Sequence, residues 1–438
     1  MQYKKRYLAF TLAAIMAFAF GCAAPQQPVQ QPVPTDSAPV RAEPLNMPAL
    51  DPAKPLLAPD YNNPEAKKAG DGVNAFTFAL MQKLHKKGEN MVISPFSVWM
   101  TLAALANATN SEAMPELLRS LGVGDLTVEE LNASVSRMLY ELTNNEGGDM
   151  YNPLSIANAV FVDGSVTLKK EFAQQFLDYY RGAAMNVDMR SPAAIKAIND
   201  WASEHTNGLI TDIVKEIPED TIVALANAIY FSDRWAVEFN EAQTEDMTFH
   251  GVEKDATAPF MLREGDELPY YEDDALQAIN LSFKTGNGMY ILLPKDGDAD
   301  ALVSELDAER FSQIAKETQS ATGKLLLPRF SLTTGFSLGD ALKDLGVPLL
   351  DPNNPALTGL VEETDAYINA ALHQATIKVD EKGTTAAAVT VEMMAGTAMP
   401  LPTEPFSMVC DKPFVFILYR WTSQGGNQAL FTGVVNQL

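Results

Sequence analysis

The stretch that decides the fold is DEKGTTAAAVTVEMMAGTAMPLP, Asp380 to Pro402. It is entered from a strand: Ala375, Ile377 and Val379 alternate with Thr376 and Lys378, so every second side chain shares a face. From Thr384 onward the side chains are small. An extended chain there would present Thr384, Ala386, Ala388 and Thr390 on one face, slim enough to slide between close neighbours. Gly383 is placed to act as a hinge, because glycine adopts backbone angles that a Cβ forbids. The segment reads as a strand without a sheet. A surface loop with incidental alanines is the competing reading of these residues alone.

The surrounding chain has 438 residues, 47% of them hydrophobic and 20% charged, which is ordinary globular composition. Lys+Arg number 32 against 56 Asp+Glu, a formal net charge of −24. Such a surface repels phosphate and sulfate polyanions, so nucleic acid and heparin are disfavoured as partners. Two cysteines, Cys22 and Cys410, exclude a disulfide scaffold. The histidines (His85, His205, His250 and His373) are scattered, without HExxH or a Cys/His cluster, so no protein-held metal is expected. No P-loop or dinucleotide fingerprint is present, and no cofactor is expected.

The N-terminus is an address and a tether. Lys4, Lys5 and Arg6 precede an apolar run from Leu8 to Phe20, too short to span a bilayer, as in a signal peptide over 1–21. Ala19-Phe20-Gly21-Cys22 resembles a bacterial lipoprotein box, with Cys22 as the lipidated mature N-terminus. Residues 22–69 are rich in Pro and Gln and lack apolar periodicity, which predicts an extended spacer. The expected location is the bacterial cell envelope, on the outer membrane or cell surface, with the lipid as the only membrane contact.

From 70 to 438 a single domain is expected. Val73, Phe76, Leu80 and Leu84 share a helix face, and a second helix is predicted over 194–210. The near-continuous apolar runs 155–163 and 221–231 suit strands covered on both faces, and 279–293 reads as a hairpin around TGNG. Helices gather early and strands late, which argues an α+β fold.

One enzyme motif stands out. GFSLG, Gly335 to Gly339, matches the G-x-S-x-G elbow with Ser337 as nucleophile, and His373 is the sole downstream histidine. The alternating β and α units that such an elbow requires are missing. The bland alternative places Ser337 in a turn near a helix start and His373 in a buried structural role. No catalytic residue is assigned.

Taken together, several ordered motifs resemble the serpins, from about residue 72 to 438. EKGTTAAAVT (381–390) is similar to the family's hinge, NMVISPFSVWMTLAALANAT (90–109) to its buried segment with Ser-Pro-x-Ser, and ALANAIYFSDRW (224–235) to its Asn-Ala-x-Tyr-Phe…Trp stretch. DKPFVFILY followed by LFTGVVN resembles its C-terminal signature. The resemblance implies about nine helices, three β-sheets and an exposed reactive-centre loop. It implies a monomeric protease inhibitor, not an enzyme. A protease attacks the loop, forms an acyl-enzyme and is trapped as the cut loop inserts into the main sheet. It places Glu381, Gly383, Thr384, Ala386, Ala388 and Thr390 at hinge and insertion positions. Ser94, Ser97, Asn227 and His373 fall in the polar cluster that gates the sheet, and Trp235 at the top where insertion begins. Counting from Gly383 puts the scissile bond at Thr397-Ala398, within the window Met394 to Met399. Glu392 departs from the pattern, since it would face inward on insertion.

The loop carries no Lys or Arg between Gly383 and Lys412, which disfavours trypsin-like targets. Thr397, Ala398 and Met399 suit the pockets of elastase- or subtilisin-like serine proteases, or papain-like cysteine proteases. The competing non-enzyme reading is a non-inhibitory serpin, a carrier or structural protein, against which the clean run Thr384–Val389 argues.

Overall fold

The computed structural model describes residues 48–143, 154–218, 220–384, 405–423 and 426–438. Nine α-helices are described: α1 (Pro64–Leu84), α2 (Pro95–Leu105), α3 (Met114–Ser120), α4 (Val128–Thr143), α5 (Lys170–Tyr180), α6 (Pro192–His205), α7 (Ala299–Glu305), α8 (Ala308–Glu317) and α9 (Gly339–Asp344). Helix α1 begins where Asn63 caps it, accepting from the Ala66 N–H, with Pro64 at the first turn. Helix α2 is buried all round, so it reads as core rather than as an amphipathic surface helix. None of the described helices is long and apolar enough to cross a membrane.

The strands form two ladders. The seven-stranded sheet contains β2 (Leu154–Asp163), β3 (Ala183–Val187), β4 (Val223–Phe231), β5 (Asp233–Arg234), β11 (Phe330–Ser337), β12 (Ala370–Asp380) and β13 (Gly383–Thr384). The nine-stranded one contains β1 (Met91–Ile93), β6 (Glu245–His250), β7 (Asp255–Glu272), β8 (Leu276–Ser282), β9 (Asn287–Pro294), β10 (Gln319–Pro328), β14 (Phe406–Val409), β15 (Phe414–Thr422) and β16 (Gly426–Val435). The three expected sheets thus emerge as two continuous ladders. The cause is β7, which is 18 residues long and pairs with β6, β8 and β10 along its length.

The N-terminal boundary moves relative to the sequence expectation. Residue 70 lies inside α1, and part of the stretch assigned to the spacer is packed on the domain. Leu50 and Leu56 lean on the core. The Asp51 and Lys54 N–H groups donate to Gln174 and Asp178 on α5, and the Leu57 N–H to Ser136 on α4. Isolated leucines among prolines have no periodicity, so this docking left no pattern to read. The signal peptide, Cys22 and the spacer up to residue 47 lie outside the described residues.

Candidate functional site

The seven-stranded sheet is divided. Strand β2 runs antiparallel to β4, and β11 runs antiparallel to β12. Between these halves β4 and β12 are parallel and pair over only four residues, Ala224–Asn227 with Ala370–His373. Beyond His373 the two strands part. Among the described residues, Gln374–Lys378 has no ladder partner on that side, nor has 228–231. Unpaired backbone edges facing one another form a slot shaped to accept a strand.

The chain itself begins to fill that slot. After Asp380 it reverses, and Gly383-Thr384 forms β13, antiparallel to both β12 and β5: Gly383 faces Asp380 and Arg234, and Thr384 faces Val379 and Asp233. Gly383 has φ +144°, and a Cβ there would lie 2.1 Å from the Asp233 carbonyl oxygen. Close approach and backbone angle together leave only glycine. The Thr384 side chain points inward, 1% exposed, and its hydroxyl accepts from the Asp233 N–H at 3.2 Å.

A clasp holds this turn. Arg329, which follows Pro328 between β10 and β11, donates from Nε and Nη2 to the Glu381 carboxylate at 2.6–2.9 Å, and the Thr244 hydroxyl adds a third donor. Burial alone would raise the Glu381 pKa. The fork from Arg329 and the Thr244 hydroxyl outweigh it and hold the carboxyl below the usual range. Trp235 closes the other side. It is 1% exposed and stacks on Phe283 with centroids 4.3 Å apart. Its indole N–H donates to Asp380 O, and its backbone N–H to Lys382 O, each at 2.9 Å.

Where β4 and β12 part lies the polar cluster. The Ser94 N–H donates to His373 Nε2 at 3.0 Å, and Ser94 Oγ to Leu430 O at 2.7 Å. Ser97 Oγ donates to Ser94 O at 2.9 Å; Asn227 Nδ2 donates to Ser97 O at 3.2 Å and to Asn158 Oδ1. Thr101 completes the network, donating to Ser97 O at 3.0 Å. His373 is buried, and loss of solvent holds its pKa down at about 4, so it is neutral and accepts at Nε2.

Glu381, Gly383, Thr384 and Trp235 therefore meet at the mouth of the slot, and Ser94, Ser97, Asn227 and His373 at its base. Four participants went unread in the sequence: Asn158, Thr101, Arg329 and Asp233. Asn158 had a visible signal, a lone amide inside the apolar run 154–163. Ala386, Ala388, Thr390, Glu392, and the bond Thr397-Ala398 within Met394–Met399 lie outside the described residues.

The hydrolase alternative is overturned. Ser337 is the last residue of β11, exposed and opposite Leu372. The side chain of His373, one residue on, points to the other face, where its Nε2 is occupied by Ser94. Serine and histidine thus lie on opposite sides of the sheet. Nor does Ser337 cap α9, whose cap position is Leu338. Among the described residues, no group of three or more His, Cys, Asp or Glu side chains could hold a metal ion.

Comparison with known proteins agrees with this architecture. The model of the serpin (serine protease inhibitor) family matches residues 71–438. A serpin-like protein of Thermococcus kodakarensis is 31% identical over 360 residues, 81% of this chain and 83% of its own. Antichymotrypsin-2 of Bombyx mori is 31% identical over 379 residues, 84% of this chain and 97% of its own. The crystal structure of Serpin48 from the insect Tenebrio molitor has a TM-score of 0.74 at 26% identity, covering 85% of this chain and 98% of that one. By its family match and by its divided sheet with a hinge docked in the mouth, the chain belongs to the serpin family.

Proposed function

We propose that this serpin is a suicide-substrate inhibitor of extracellular elastase- or subtilisin-like serine proteases, or of papain-like cysteine proteases. One observation carries the reading: the slot between β4 and β12 is open above four rungs, and its first rung is already occupied by Gly383-Thr384. A chain threaded that far needs only its far end released to continue antiparallel between the two edges. Attack of the protease nucleophile on the Thr397 carbonyl forms an ester, or a thioester for a cysteine protease. The Ala398 amine leaves, and the freed segment zips inward, carrying the acylated protease with it. The serpin supplies no catalytic group. Gly383 sits where only glycine fits, as a loop that enters the sheet at this point requires.

The same reading places the mature protein on the bacterial envelope as a monomer, anchored by lipid on Cys22 and held off the membrane by the Pro/Gln-rich spacer. Incubation with pancreatic elastase and with subtilisin is expected to give an SDS-stable complex and a released peptide of about 41 residues, 398–438. Rapid cleavage by every protease without a complex would overturn the proposal and leave a non-inhibitory serpin.

A further inference from the structure

Asp233 is an acid at the point where loop insertion begins. It sits on β5, directly opposite Thr384, and is 1% exposed. Its carboxylate is bonded only by neutral donors: the Thr285 hydroxyl and Asn287 Nδ2 on one oxygen, and the Arg234 backbone N–H at 2.8 Å on the other. None of the charged groups around it makes an ion pair with it, and Arg420 acts on it only through space. Arg420 of β15 donates to Thr285 O at 3.2 Å and lies between the fields of Asp233 and Glu141 of α4. Arg234 and Lys284 both reach Glu238, at 2.6 and 3.6 Å. On the hinge side, Glu381 is held by Arg329, Lys382 by Glu241 and Asp380 by Lys378. No cation lies within ion-pairing distance of Asp233 among the described residues. A carboxylate taken out of water without a counter-ion is costly when ionised, and burial pushes this one above its ordinary range.

What covers Asp233 is the hinge. Its own backbone N–H donates to Thr384 Oγ1 and its carbonyl abuts Gly383. Thr384 is directly opposite Asp233 in an antiparallel pair, so the two side chains share a face. Withdrawal of Gly383-Thr384 would open that face of the Asp233 side chain to water and relieve the cost, and protonation would relieve it with the hinge in place. We propose that Asp233 is the positioning residue that makes hinge docking depend on acidity, tightening the first rung of the inserted strand as the pH falls. The consequence for protease trapping rests on the inhibitory reading above; the docking equilibrium itself does not. The sign follows from linkage. The docked state has the higher pKa at Asp233, so it binds a proton more readily than the undocked one. Its population therefore rises as pH falls through the docked pKa, and levels off below the ordinary carboxylate value.

Two amides report docking directly, because their acceptors belong to the hinge: Asp233 N–H to Thr384 Oγ1, and Trp235 N–H to Lys382 O. Hydrogen exchange on the uncleaved, free protein between pH 8 and 4 is expected to show their protection factors rising as pH falls. The gain is up to about tenfold per unit of pKa difference between docked and undocked states. Amides of β2 serve as the internal control. Asp233→Asn, whose single side-chain oxygen can take the place of Oδ2 under Thr285 and Asn287 while its amide nitrogen gives up the bond from the Arg234 N–H, cannot titrate and is expected to show pH-independent protection. Flat wild-type protection over that range, or an Asn variant retaining the wild-type slope, would overturn the proposal. Either failure would leave the inhibitor reading untouched, and failure to trap any protease would leave the exchange result standing.

Discussion

At the scale of single residues, His373 shows how one side chain can join a sheet and make that joint sensitive to acid. Its Nε2 is the acceptor for Ser94 N–H at the start of α2, and its backbone is the last rung shared by β4 and β12. Burial holds its pKa at about 4, against an ordinary value of 6.5. Between those values the unfolded chain takes up a proton that the native imidazole cannot accept. Stability is therefore intact above pH 6.5 and lost progressively as pH falls towards 4, by about 3 kcal/mol in all. Urea midpoints at pH 7.5 and 4.5 should expose this slope in the wild type. His373→Gln offers an amide oxygen to Ser94 and cannot titrate, so it should lose less between the two pH values. Equal losses would mean that other groups set the acid sensitivity. The mouth of the slot is built on a different chemistry. There the Glu381–Arg329 fork is a strong charge-assisted joint, beside a buried acid, Asp233, that has hydrogen-bond donors but no ion-pair partner.

At the scale of elements, the joint between β4 and β12 carries more than its four rungs suggest. Asn227 links the two halves to α2 through Ser97 O and to β2 through Asn158. Asn227→Ala would strip a donor from both, and the single hydroxyl proton of Thr101, which reaches both acceptors, cannot replace it at each, a loss of about 1–3 kcal/mol. The expected result is faster conversion to loop-inserted or self-associated species on mild heating, followed by native gel electrophoresis. An unchanged conversion rate would show that the rungs alone hold the sheet. These elements were unequally legible in sequence. Strands β2 and β4 announced themselves as apolar runs because both faces are covered, and α1 by its 3.6-residue period. Gly383 was readable because a glycine between a strand and a small-residue run has few other uses. Arg329 and Asp233 were not. Arg329 is the single residue between β10 and β11 and Asp233 opens the two-residue strand β5, and the role of each depends on a partner 52 or 151 residues away that no local pattern specifies. The docking of Leu50 and Leu56 was hidden for the same reason, as was the joining of sheets through β7. Length alone does not say where a strand changes partners.

At the scale of the whole molecule, the open slot is a store of unmade pairing. A strand of roughly a dozen residues fills the open stretch and then parts the four β4–β12 rungs, so the net gain is the new backbone bonds on two edges less those rungs. At a net of about 0.5–1.5 kcal/mol each, the gain is on the order of 10 kcal/mol. For a domain of this size that corresponds to a rise in melting temperature of roughly 10–20 °C. Scanning calorimetry before and after a single cut in the loop tests it, and an unchanged melting temperature would mean that the cut strand does not enter. The extent of entry depends on parity. Thr384 is the inward residue of the docked rung, so a regular strand continuing from it also turns Ala386, Ala388, Thr390 and Glu392 inward. The first three are small or hydroxylated. Glu392 is a carboxylate, and burying it unpaired costs several kcal/mol, enough to stop the zipper short or to force protonation. Glu392→Val should therefore increase the melting rise on cleavage by several degrees and remove its dependence on pH. In the wild type, that rise should be larger at pH 5 than at pH 8, since the penalty belongs to the ionised form. If Glu392→Val matches the wild type at both pH values, the strand either ends before residue 392 or carries that side chain to water at its far end.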